Sequence, residues 1–208
     1  MNVEAVTIDA YGTLVRLRDP VPPLRAALQS RGIERDEEAV RRAFEAEVAF
    51  YVERSHEGRD EATLALLRRD CAEVFLSAAG AGLDAAGFAD AFVGALAFEP
   101  EPGAVDACRA LANAGLKLAV VSNWDVGLHD HLRHVGLYDL VDAVVTSAEA
   151  GAPKPSPAVF ERALALLDVA ARDVIHVGDA EADADGARAA GIRFEPAPLA
   201  DAARRILA

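Results

Sequence analysis

The chain is short of several things at once. Lysine and arginine together number 21 against 34 aspartates and glutamates, giving a net charge of −13 over 208 residues. A surface that acidic repels phosphate backbones and anionic lipid, so nucleic acid and membranes are not expected as partners. There are only two cysteines, Cys71 and Cys108, and no paired spacing links them. They read as small buried side chains in a reducing compartment, not as a disulfide. Aromatics make up 6% of the residues, so the core must be built from the Ala, Val and Leu that dominate an apolar content of 52%. No basic leader or long apolar run is present, which predicts a soluble, cytoplasmic protein. Internal repeats are lacking, and no motif reports the oligomeric state.

What is present is a rhythm. From Gly103 onward, strand-like and helix-like segments alternate: "GAVDACRALANAG", "KLAVVSN", "DVGLHDHLRHVG", "DAVVTS", "SPAVFERALALL", "DVIHVGD", "AEADADGARAAG", "IRFEP", "LADAARRILA". Ser156 is expected to cap the helix of "SPAVFERALALL", with Pro157 at its first position. Strands that are apolar throughout, each followed by a helix, predict an α/β fold: a Rossmann-like parallel sheet with helices on both faces. Between Arg16 and Phe98 the rhythm stops. Four helices are expected there, Pro22–Ser30, Glu37–Arg54, Glu61–Ala79 and Ala85–Ala97, with Val40, Phe44, Val48 and Tyr51 at helical spacing. Residues 1–15 and 98–208 therefore read as a catalytic core, and residues 16–97 as a helical cap inserted into it.

In such sheets the ligand lies beyond the carboxyl ends of the strands. Four of those ends carry chemistry. "VTIDAYGTLV" supplies Asp9, Tyr11 and Thr13; "VVSNWD" supplies Ser122 and Asn123; "GAPKPSP" supplies Lys154; "HVGDAEADADG" supplies Asp179 and, one turn later, Asp183. This set suits attack by a carboxylate on an electrophile that carries negative charge. Ser122, Lys154 and backbone N–H groups would hold that charge. Asp9 and Asp179 would share a hard cation such as Mg2+, which takes oxygen ligands. Other groups have plainer readings. His129, His131 and His134 read as a surface cluster, His176 as a core residue, and Asp125 as a helix cap.

With these four motifs in this order, the chain resembles the haloacid dehalogenase superfamily of aspartyl-nucleophile hydrolases, over its whole length. "SNWD" followed by "TSAEAGAPKPSPAVF" is most similar to the rhythmically expressed protein-like branch. The resemblance implies that Asp9 is the nucleophile and that Lys154 steadies it. Thr13, Ser122, Asn123 and Lys154 would then bind the transferred group of a small-molecule substrate. Asp9, Asp179, Asp183 and the backbone carbonyl of Tyr11 would hold Mg2+.

Two signals pull apart. The family's phosphatases carry an aspartate two residues after the nucleophile, to protonate the leaving alcohol; here that residue is Tyr11. A tyrosine there is typical of the family's dehalogenases, which use no metal, and a phenol with a pKa of about 10 is a poor proton donor near neutrality. Those dehalogenases, however, replace the acid of "GD" by a neutral residue and carry a tyrosine a few positions after the lysine. This chain keeps Asp179 and has Phe160 there. Three carboxylates without a cation would repel one another strongly. A Mg2+-dependent phosphatase acting through an aspartyl phosphate is therefore expected. The alternatives are a 2-haloacid dehalogenase working through an aspartyl ester, and a catalytically weak member that binds a phosphorylated ligand or a partner.

Overall fold

In the computed structural model, which describes residues 3–208, the run "AVTI" forms β1 (Ala5–Ile8), buried along its whole length. β2 (Val15–Leu17) follows, then the helices α1 (Val21–Gln29), α2 (Glu37–Arg54), α3 (Glu61–Ala78) and α4 (Ala85–Gly94). The chain continues through β3 (Phe98–Pro100), α5 (Ala104–Asn113), β4 (Lys117–Ser122), α6 (Leu128–His134) and β5 (Ala143–Thr146). It ends with α7 (Ser147–Ala150), α8 (Ala158–Leu167), β6 (Val174–Gly178), α9 (Glu181–Ala189), β7 (Arg193–Pro196) and α10 (Leu199–Ile206). The chain divides into two units. One comprises the residues up to Arg16 together with Phe98–Ala208, and the other Leu17–Ala97.

The first unit is the expected parallel α/β sheet. Its strand order is β5-β4-β1-β6-β7, with every pair parallel. β1 lies in the middle, with Ile8 opposite Val120 on one side and Val177 on the other. That register brings the carboxyl ends of β1, β4 and β6 level, and Asp9 continues the ladder by donating its N–H to the Val177 carbonyl at 2.9 Å. Ala5, Ala119, Val121, Val145 and Val174 form a buried cluster with Val159, Phe160, Ala163 and Leu167 of α8 and Ala187 of α9. On the sheet's other face α5 packs on β4, and α10 on β6 and β7. Strands buried on both faces explain why their sequences are apolar without alternation.

Two details depart from the sequence reading. α8 begins at Ala158, with Pro157 in the cap position; the Ser156 hydroxyl still accepts the Ala158 N–H at 3.4 Å. β2 and β3 form a separate two-stranded sheet that the sequence did not announce. Three-residue strands are too short to show a period.

The second unit is helical, and α2, α3 and α4 each start on an aspartate. Asp36, Asp60 and Asp84 accept the N–H of Ala39, Thr63 and Gly87 at 2.7, 2.8 and 2.8 Å. Each such cap is worth about 1 kcal/mol. The few aromatics are concentrated here: the Phe75 ring lies 6.1 Å from Phe88 and 5.2 Å from Phe92. The buried residues of α2 are Val40, Ala43 and Glu47, whereas Val48 is exposed. The inward face is thus rotated from the expected apolar stripe and carries an acid.

Burial, opposed by a hydrogen bond with Cys71, raises the Glu47 pKa from 4.5 to about 7. Because the folded-state pKa is the higher one, this group's contribution to stability is full below pH 4.5. It falls as the unfolded chain ionises first, and is lost by about pH 7. The loss should approach about 3 kcal/mol, at 1.36 kcal/mol per pH unit. Urea unfolding at pH 5 and pH 8 should show Glu47→Gln gaining on wild type at the higher pH. An equal difference at both pH values would mean that burial exerts no such pressure on this carboxyl.

Candidate active site

β1 delivers Asp9 to the sheet's carboxyl edge, and the chain turns at once through Gly12, whose φ is 80°. Only glycine adopts that conformation without strain. A Cβ on Gly12 would also run into the Asp179 carboxylate, so the turn and the β6 tip are mutually fitted. Gly178 has the same role against Asp183. Both acids can approach the strand tips because no side chain stands in their way.

Three of the expected groups, Asp9, Ser122 and Lys154, meet at one oxygen, and Lys154 links them to Asp183. Asp9 Oδ1 accepts from Ser122 Oγ at 3.0 Å and from Lys154 Nζ at 2.6 Å. Lys154 Nζ also donates to the Val121 carbonyl at 3.1 Å and to Asp183 Oδ1. Asp9, Lys154 and Asp183 are each at most 6% exposed, so these contacts are shielded from water. Thr13 Oγ1, also buried, has no hydrogen-bond partner. A buried hydroxyl without a partner is a donor open to a ligand oxygen.

Asn123 behaves differently from its neighbours. Its Oδ1 accepts the Lys154 N–H at 2.6 Å, and its Nδ2 donates to the Lys154 carbonyl at 3.1 Å. Both amide atoms are engaged with the lysine's own backbone, so Asn123 ties the lysine loop to the end of β4. The Tyr11 side chain is 53% exposed. Asp125 accepts the Gly127 N–H at 2.7 Å, just ahead of α6.

The electrostatics follow from this crowding. Burial alone would pull the Lys154 ammonium down, but the Asp9 and Asp183 carboxylates outweigh it and hold its pKa above the ordinary value. Asp183 resists its own burial because His176 and Lys154 both donate to it, and its pKa falls well below the carboxylate range. Asp179 has no such donors. Partial burial, then the charges of Asp9 and Asp183, raise its pKa.

Asp9, Asp179 and Asp183 offer carboxylate oxygens within 4.8 Å of one another. Two like charges about 4 Å apart near a protein surface repel by about 4 kcal/mol. Lys154 offsets one of the three. An all-oxygen donor set with unbalanced negative charge fits a small hard cation and would not suit a soft one.

His176 was read from the sequence as core. It is fully buried, yet its Nε2 lies 3.1 Å from Asp183 Oδ1. The signal was present: the two-residue strand period puts His176 on the same face as Gly178, over which Asp183 sits. The other histidines share no site. His129 pairs with Glu149 at 3.3 Å, and the His131 ring packs on Phe98 and Trp124.

A parallel sheet with these groups at its carboxyl edge is the construction of an α/β hydrolase. The chain belongs to the haloacid dehalogenase-like hydrolases, whose family model matches residues 3–191. It is 47% identical over 91 residues to haloacid dehalogenase-like hydrolase domain-containing protein 3 of Bos taurus, covering 43% of this chain and 36% of that protein. It is 37% identical over 106 residues to ribulose-1,5-bisphosphate 5-phosphatase of Halopiger xanaduensis, covering 49% and 44%. These matches span less than half the length of the relatives. Among solved structures, a defluorinating L-2-haloacid dehalogenase shares the fold with a TM-score of 0.78 over 100% of this chain and 96% of that one, at 22% identity. No described helix is long and apolar enough to cross a membrane.

Proposed function

We propose that this hydrolase is a Mg2+-dependent phosphatase of a small phosphorylated metabolite, working through an aspartyl phosphate on Asp9. Both donors to Asp9 fall on Oδ1, so attack on phosphorus falls to Oδ2. Lys154, Ser122 and the free Thr13 hydroxyl take the phosphoryl oxygens, whose charge grows as the leaving oxygen departs. A water molecule then cleaves the acyl phosphate and regenerates Asp9. Asn123 keeps the lysine in place throughout. Asp9, Asp179, Asp183 and the Tyr11 carbonyl would hold Mg2+, which would supply charge neutralisation for the phosphoryl group. Residues 16–97 take the role of the family's cap.

The observation that carries this reading is Asp179, an acid that no described cation hydrogen-bonds, with two other carboxylates within 4.8 Å. A halide-displacing site has no use for it. The phosphatase among the relatives supports the same choice. Tyr11, together with the dehalogenase fold neighbour, favours a second reading: hydrolysis of a 2-haloacid through an aspartyl ester.

A screen of acyl, aryl and alkyl phosphates and 2-chloropropionate, each with Mg2+ and with EDTA, separates the two. Phosphate release abolished by EDTA is expected; chloride release that survives EDTA would replace the proposal. Removing Asp179 should weaken Mg2+ far more than it weakens folding, because the residue is exposed at a strand tip. Calorimetric titration of Asp179→Ala should show at least about a tenfold loss of Mg2+ affinity. Equal affinity in the variant and wild type would put the metal elsewhere.

A further inference from the structure

His176 lies in the middle of β6, opposite Thr7 of β1, with no exposed surface. Its ring stands edge-on to Phe160, the centroids 4.8 Å apart, so its orientation is fixed by packing. Both nitrogens are engaged. Nε2 faces Asp183 Oδ1 at 3.1 Å; Nδ1 lies 3.0 Å from Thr7 Oγ1 and 3.1 Å from the Thr7 carbonyl. A carboxylate paired with the Lys154 ammonium can only accept, so Nε2 carries the hydrogen. At the ring's other edge, the Thr7 hydroxyl and carbonyl both lie within hydrogen-bond distance of Nδ1.

The Asp183 carboxylate is thereby held at three points. Its Oδ1 takes His176 and Lys154, and its Oδ2 takes the Ala180 N–H at 3.1 Å, at the start of α9. A carboxylate fixed at one oxygen by the backbone and at the other by an immobile ring presents the same lone pair to Lys154 at all times. Lys154 in turn bridges Asp183 and Asp9, so the line runs Thr7, His176, Asp183, Lys154, Asp9.

We propose that His176 is a positioning residue whose Nε2–H fixes the Asp183 carboxylate and, through it, the Lys154 ammonium on Asp9. The inference rests on the roles of Asp9 and Lys154 given above. It explains why a polar ring occupies a site that an apolar side chain would fill at lower desolvation cost. Outer partners of this kind contribute about 10–100-fold to activity.

The test compares His176→Gln, which returns a donor near the Nε2 position, with His176→Leu, which fills the space and donates nothing. With p-nitrophenyl phosphate and Mg2+, the leucine variant should lose about 10–100-fold in kcat with little change in KM. The glutamine variant should stay within a few-fold of wild type. Lys117 and Lys154 are the only lysines in the chain, so their labelled side-chain nitrogens are readily told apart by NMR. The Lys154 signal should move in His176→Leu and stay in His176→Gln. In wild type, labelled histidine should show His176 protonated at Nε2. A leucine variant equal to wild type in kcat and in the Lys154 signal would overturn the proposal, as would a ring protonated only at Nδ1. If wild type hydrolyses no phosphate ester, the proposed function falls, and the lysine and histidine signals still decide His176.

Discussion

Asp9→Asn should abolish turnover, by on the order of 10⁴-fold or more, with the fold intact. Losing a nucleophile removes the whole covalent path, and the residual rate then comes from binding alone. The amide keeps the carboxylate's shape, and its oxygen can still accept from Ser122 and Lys154. One negative charge also leaves a crowded cluster, which offsets the weaker bond to the lysine. The melting temperature should therefore stay within about 5 °C of wild type. Mass spectrometry after quenching with substrate should find a phosphorylated peptide containing Asp9 in wild type and none in the variant. A variant with substantial activity would show that another group attacks phosphorus.

The second large effect concerns Tyr11. Its side chain is half exposed at the tip of the first strand, where the family's phosphatases carry a proton-donating acid. Without that acid the leaving oxygen departs as an anion, and the rate should depend steeply on its basicity. Acyl and aryl phosphates should be hydrolysed well, and simple alkyl phosphates poorly. Tyr11→Asp should restore a proton donor and raise the alkyl phosphate rate by about 10²–10⁴-fold, with almost no gain for aryl esters. Rates of p-nitrophenyl and alkyl phosphates in both proteins decide the matter. Equal wild-type rates on the two ester classes would mean that some other side chain, Asp125 for example, supplies the proton.

Much of this site was legible because its chemistry sits at strand tips, where a polar residue interrupts an apolar run. Asp9, Ser122 and Asp179 each end such a run, and Lys154 follows β5 after the short helix α7. The parallel sheet was legible for the same reason: its inner strands β1, β4 and β6 are apolar along almost their whole length. Asn123 was grouped with Ser122 by adjacency; its bonds to the Lys154 backbone, 31 residues away, leave no periodic trace. His176 was hidden by its burial, since a histidine inside an apolar strand looks like filler until Asp183 is seen above it. On α2 the apolar stripe misjudged the inward face, because Glu47 is buried and Val48 is exposed.

The placement of β1 has a consequence for how the molecule is made. This strand's two neighbours are β4 and β6, both of which follow it and the helical unit in the chain. The Lys154 that neutralises Asp9 is 145 residues further along the chain, and the His176 that meets Thr7 is 169. The contiguous helical unit, Leu17–Ala97, can be built from contacts close in sequence while β1 still waits. Such long separations slow the search for native contacts, even though each doubling of a loop adds only about 0.6 kcal/mol of closure entropy. During synthesis β1 is an unpaired apolar edge, and the carboxylate at its tip has no counter-charge, until β4, Lys154 and β6 have been translated. The strand at the centre of the sheet precedes every partner that encloses it.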